Sequence, residues 1–129
     1  MPRAVLDASA LLAVLYREPG SVMVEPYFAQ VVVSSVNFSE VAAILCDRGI
    51  DSQEVLEILS GLSLEVRGFD TEQALMAGAR REVTRPLGLS LGDRACLALG
   101  IAEGAPILTT DRAWADVPIE TAAEVVIVR

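Results

Sequence analysis

The sequence predicts an α/β protein, a three-layer α/β/α sandwich built on a mostly parallel five-stranded sheet and folded as a single domain over 1–129. Three observations lead there. Five short runs rich in Val, Ile and Leu, near 3–6, 31–34, 63–67, 107–110 and 124–128, have the length and composition of strands. Most are separated by segments whose apolar residues recur at helical spacing, the signature of parallel strands joined by helical crossovers. Two of the runs are followed closely by an aspartate, Asp7 and Asp111, where a strand hands over to the next element. Right-handed crossovers allow the doubly wound order 3-2-1-4-5, which sets the first and fourth strands side by side at the switch point.

Each element has a local reason. Val5 and Leu6 close the first strand, and Leu11, Leu12 and Leu15 mark a helix stopped by Pro19-Gly20. Asp7, between them, can cap that helix or face a crevice at the strand ends. Val31, Val32 and Val33 make a central strand, and Ser34 or Ser35 caps a helix running to about Asp47 with Val36, Ala43, Ile44 and Cys46 on its apolar side. Glu40 lies one turn into it. Asp51 or Ser52 caps the next helix, through about Leu59, and Leu64 and Val66 alternate with Glu65 and Arg67 as an edge strand. Asp70 and Gln73 have capping-box spacing for a helix reaching Val83. That helix carries Arg80 and Arg81, which with Arg85 form the one dense basic cluster, explained first by the helix dipole and second by substrate binding. Ser90 and Asp93 open a helix with Cys96, Leu97 and Ile101 inward, and Gly104 ends it. Pro106 introduces the strand that ends at Asp111, and Trp114 packs the following turn against the sheet.

Charge narrows the chemistry. The formal net charge is -8, from 18 acids and 10 bases, which disfavours binding nucleic acid through a broad positive field. All the bases are arginines, and histidine is absent, so carboxylates, hydroxyls or metal-bound water must do any proton work. Cys46 and Cys96 lie in apolar helical stretches without metal-ligand spacing and are expected to be buried free thiols. With no signal-peptide pattern and no apolar run near the roughly 20 residues that span a bilayer, the expected location is the cytoplasm.

In this topology Asp7 and Asp111 end adjacent strands, while Glu40 and Asp93 sit in early turns of helices starting at the same sheet edge. Like charges 4 Å apart repel by roughly 1 to 4 kcal/mol, and a cap contributes about 0.5 to 2 kcal/mol. Capping therefore explains each acid separately but not their convergence. A divalent cation explains it, and oxygen donors suit Mg²⁺ or Mn²⁺ rather than zinc.

The surrounding words sharpen this reading. Leu6-Asp7-Ala8-Ser9-Ala10-Leu11-Leu12 with Glu18-Pro19-Gly20, Asn37-Phe38-Ser39-Glu40-Val41, Leu89 to Leu99 around Gly92-Asp93-Arg94, and Leu108-Thr109-Thr110-Asp111-Arg112-Ala113-Trp114 resemble the PIN-domain ribonucleases, in particular the VapC toxins of bacterial toxin-antitoxin pairs. The resemblance spans essentially the whole chain. It implies endonucleolytic cleavage of RNA dependent on Mg²⁺ or Mn²⁺, with Asp7, Glu40, Asp93 and Asp111 as catalytic and metal-binding residues. It also implies a homodimer and a cognate antitoxin partner. Ser9, Thr109 and Thr110 are candidate hydroxyls supporting the carboxylates, and an apolar patch on the helices from 36 to 60 is the expected dimer face. A receiver fold would want a lysine, and a small phosphatase a second aspartate where Ser9 stands. The remaining alternative is a catalytically silent PIN-like protein-binding module.

Overall fold

The computed structural model describes residues 3–119 and 123–129. In chain order the elements are β1 (Ala4–Leu6), α1 (Ala8–Leu15), α2 (Ser21–Val24), a 3-10 segment (Glu25–Gln30), β2 (Val31–Ser34), α3 (Ser35–Asp47), α4 (Ser52–Ser60) and β3 (Leu64–Arg67). They continue with α5 (Thr71–Ala79), α6 (Arg81–Thr84), a 3-10 turn (Arg85–Leu87), α7 (Leu91–Glu103), β4 (Ile107–Thr109), a 3-10 turn (Arg112–Asp116) and β5 (Val125–Ile127). The sheet order is β3-β2-β1-β4-β5 and every pairing is parallel, as the sequence predicts.

Strand alternation divides the core into two layers. Ala4, Leu6, Val31, Val33 and Leu108 face one side, where they meet Leu11 of α1, Val41 and Leu45 of α3, and Val55 and Leu59 of α4. Val5, Val32 and Ile107 face the other, against Cys96, Leu97 and Leu99 of α7 and the indole of Trp114. β1, β2 and β4 are fully buried, whereas β3 and β5 are partly exposed, as befits edges. Helix α5 packs over α7, so the second side carries an additional layer of helix.

Local chemistry starts the helices where the sequence places them. Asp7, Ser34, Asp51, Asp70 and Ser90 each accept a backbone N–H as N-caps. The capping box at Ser90 and Asp93 is complete, while the one at Asp70 is half-formed, because Gln73 donates its N–H but its Oε1 has no partner.

Several expectations are corrected. The helix expected to reach Val83 breaks at Arg80, whose guanidinium donates to the Pro118 carbonyl at 2.8 Å, and Thr84 Oγ1 bonds back to the Arg80 carbonyl at 2.7 Å. The buried stripe of α3 is Asn37, Val41 and Leu45 at i, i+4 and i+8, which turns Ala43 and Cys46 outward. Cys46 is therefore an exposed thiol, and Cys96 alone is the buried one. Between 36 and 60 the one large apolar side chain that is exposed is Leu56, so the patch anticipated there is small. Tyr16, Val22, Met23 and Phe28 expose more apolar surface, on and after α1. Among the described residues no helix is long and apolar enough to cross a membrane.

The approach of α7 to the sheet depends on a missing side chain. A Cβ at Gly100 would lie 2.2 Å from Cγ1 of the fully buried Ile107. Gly100→Ala should therefore destabilise the protein by about 1 to 3 kcal/mol, despite alanine's better helix propensity. Thermal melts check this, with Ile107→Ala added to relieve the overlap: no loss from Gly100→Ala would mean that α7 can shift freely on β4.

Candidate metal and nuclease site

Asp7 follows β1 directly, and its N–H donates to the Leu108 carbonyl at 3.2 Å, continuing the β1–β4 ladder. Its carboxylate is buried, at 4% exposure. Oδ1 accepts from Ser9 Oγ (2.7 Å) and Ala10 N (2.8 Å), and Oδ2 accepts from Thr109 Oγ1 (2.5 Å). Thr109 also joins the next acid, since its hydroxyl accepts from the backbone N–H of Asp111 at 3.1 Å. One buried hydroxyl thus ties the two strand-end aspartates together. Ser9 closes the circuit by accepting from Thr110 N at 3.0 Å and lying 3.3 Å from Thr109 Oγ1. Ser9 and Thr109 thus meet Asp7 through their hydroxyls, whereas Thr110 takes part through its backbone.

Glu40 reaches the start of α7 by a different route. Asn37 Nδ2 donates to Glu40 Oε1 (2.8 Å) and to the Gly92 carbonyl (3.0 Å), bridging α3 to the first turn of α7. The Glu40 carboxylate rests on Gly92 so closely that a Cβ there would stand 2.5 Å from either oxygen. Asp93 is the next residue, with Oδ2 accepting from Ser90 N at 2.9 Å.

Electrostatics relates the two pairs. Burial pushes the Asp7 carboxyl up from 3.8 to about 6, against the opposing effect of its three hydrogen bonds, and the charge of Asp93 adds to the rise. The fully buried thiol of Cys96 is raised well above its usual value, first by burial and then by Asp7, Asp93 and Glu40. Asp7, Asp93 and Glu40 thus all lie within electrostatic range of the Cys96 thiol, and Asp111 is tied to Thr109 through its backbone N–H. A thiol so disfavoured as thiolate is a poor soft-metal ligand.

The donor chemistry fits a hard divalent cation: carboxylate oxygens, no histidine, and a protonated cysteine. Spacing is looser than a closed site, since among the described residues no group of three or more His, Cys, Asp or Glu side chains is close enough to hold a metal ion. The hydrogen bonds give a physical reason. Asp7, Asp93 and Asp111 are each turned toward a helical N-terminus, with Asp111 Oδ1 accepting from Ala113 N at 2.9 Å.

Comparison with known proteins fits this arrangement. The PIN domain model matches residues 4–120. The chain belongs to the PIN-domain family. Its fold is similar to that of a chain in DNA-bound VapBC from Salmonella typhimurium, with a TM-score of 0.75 and 18% identity over 98% of both chains. A toxin-antitoxin complex from Klebsiella pneumoniae gives 0.72 and 18% identity over 93% of this chain and 94% of that one. VapBC-5 from Mycobacterium tuberculosis gives 0.68 and 19% identity over 98% and 100%. No curated protein matches by sequence. Identity this low makes the structural likeness one of fold, while the family itself rests on the PIN-domain match.

Sequence reasoning singled out the four acids of this PIN domain but gave no role to Asn37 or Gly92. Their signals were present. Asn37 and Glu40 are three apart on one helix, hence neighbours on its surface, and a glycine inside a first helical turn suggests a close approach.

The raised Asp7 carboxyl has a pH consequence. Between 3.8 and about 6 the folded protein keeps a proton that the unfolded chain releases, so Asp7 lowers stability as pH rises through that window. With chelator present, the stability of Asp7→Asn minus that of wild type should increase by on the order of 3 kcal/mol from pH 4 to pH 7. Urea melts across that range test it, and a pH-independent difference would remove the burial cost assigned to Asp7.

Proposed function

We propose that this PIN domain, a single nuclease unit over 1–129, is a divalent-metal-dependent endoribonuclease and the toxin of a toxin-antitoxin pair. The observations that support the reading are that the Asp7 carboxylate and the Asp111 backbone N–H share the Thr109 hydroxyl, and that the Glu40 carboxylate lies against Gly92, the residue before Asp93. Asp7, Asp93 and Asp111 would hold Mg²⁺ or Mn²⁺, with Glu40 ligating or orienting through water. The ion, when bound, supplies a water of lowered pKa and charge neutralisation at the attacked phosphate.

The chain's own residues prepare for that chemistry. For Asp93 and Asp111 the hydrogen bonds found among the described residues fall on one carboxylate oxygen each, Oδ2 and Oδ1 respectively, so capping and ligation need not compete for the same atom. Ser9 and Thr109 hold Asp7 in one orientation against a desolvation cost that favours its neutral form. Arginines are the available phosphate ligands. Arg112, beside Asp111, is exposed, and Arg129 donates through Nε to the Thr110 carbonyl at 2.7 Å.

The named VapBC and toxin-antitoxin structures of similar fold support an antitoxin partner, which would send a cationic group into the acidic pocket. The same reading gives a homodimer and a cytoplasmic location. A second reading, a catalytically silent PIN-like protein-binding module, is favoured by the spacing of the acids.

Cleavage of a pooled RNA across a Mn²⁺ titration separates the two. RNA cut internally with Mn²⁺ and intact with chelator is expected, and RNA intact throughout would leave the silent module. Asp93→Asn gives a second check, because an asparagine oxygen can still accept from Ser90 N. Its metal-free melting temperature should be no lower than wild type, its Mn²⁺-induced rise smaller, and its cleavage reduced at least about tenfold, or roughly 1.4 kcal/mol of transition-state stabilisation. Lower apo stability with unchanged metal response and cleavage would assign Asp93 to capping alone.

A further inference from the structure

We propose that Asn37 is a positioning residue which, with Gly92, fixes the Glu40 carboxylate in a single orientation over the first turn of α7. The catalytic part of this inference rests on the nuclease reading above. Asn37 is 1% exposed, and both Nδ2 hydrogens are used, one on Glu40 Oε1 at 2.8 Å and one on the Gly92 carbonyl at 3.0 Å. Chemistry alone sets the orientation of the amide. Reversed, it would present Oδ1 to a carboxylate and a carbonyl, two acceptors with no hydrogen between them.

Among the described residues Asn37 Oδ1 accepts no hydrogen bond, so the polar contacts of this buried side chain are made through Nδ2. The carboxylate also lies against Gly92. Gly92 removes the Cβ that would otherwise lie 2.5 Å from both Glu40 oxygens, so the acid can settle on the helix backbone one residue from Asp93. Helix propensity gives no reason for a glycine there, since alanine would be preferred. The hydrogen bond and the missing side chain act on the same group from two elements, 55 residues apart in sequence. Oε1 is held by Asn37, and among the described residues Oε2 accepts no hydrogen bond.

The test uses the whole chain and two kinds of readout. In wild-type protein the Asn37 side-chain amide protons, followed by NMR, should exchange with solvent at least about tenfold more slowly than in Glu40→Ala. Equal exchange in the two proteins would overturn the clamp. In the RNA assay, Asn37→Ala and Gly92→Ala should each lower kcat at least about tenfold while KM for RNA stays within about twofold. If Asn37→Ala does not fold, Gly92→Ala still displaces the same carboxylate. Wild-type kcat in every folded variant would overturn the positioning role. Wild-type protein that cuts no RNA, yet shows Glu40-dependent amide protection, would overturn the nuclease reading and leave the clamp standing.

Discussion

A buried carboxylate needs a proton, hydrogen bonds or a cation, and Asp7 is where this chain meets that requirement. Its position follows from the sheet. β1 is the central strand, so the residue that ends it is enclosed by β2, β4 and the start of α1. Three donors converge on it, two of them hydroxyls, Ser9 from α1 and Thr109 from β4. Even so the charged form is disfavoured by burial, and the nearby Asp93 adds to the penalty. The other acids are arranged around this constraint.

Capping and ligation are commonly treated as rival explanations for an aspartate at a helix start. Here the same residues can serve both. A carboxylate has two oxygens: Asp93 gives one to the N–H of Ser90, the residue that caps its helix, and Asp111 gives one to the N–H of Ala113 in the turn it begins. That bond fixes the side-chain torsions and leaves the second oxygen for other partners. The cost is reach: oxygens held by caps cannot all swing toward one point, which accounts for the open spacing of the acids. Glu40 is different, because it lies inside α3 and is steadied by a side chain and a glycine instead of a helix end.

Much of the fold was legible because the strands are short, apolar and separated by turns with strong chemistry. Val31 to Val33 read as a buried central strand, and the order 3-2-1-4-5 is one that right-handed crossovers allow. The half-buried edge strand at 64–67 was also readable from alternation. What was not legible depended on tertiary partners. The break at Arg80 coincides with its bond to a carbonyl at Pro118, 38 residues away, and the inward stripe of α3 includes the buried polar Asn37, a position that apolar counting assigns to solvent. The acids could be named from motif words, but the clamp on Glu40 needed coordinates, since Gly92 gives no sign in sequence of which group lies above it.

The turn that follows Asp111 carries Trp114, the sole tryptophan of the chain, with its ring fully enclosed. Its indole packs in the same layer as Cys96 and Leu97 of α7, and the turn it belongs to begins with the Asp111 cap. The protein therefore has a built-in optical reporter beside its acidic edge. A blue-shifted emission corresponds to an indole sealed against the sheet, and red-shifted, quencher-accessible emission to a turn that has lifted away. Fluorescence can thus follow the seating of the Asp111 turn in the native chain, without a label and without an added chromophore.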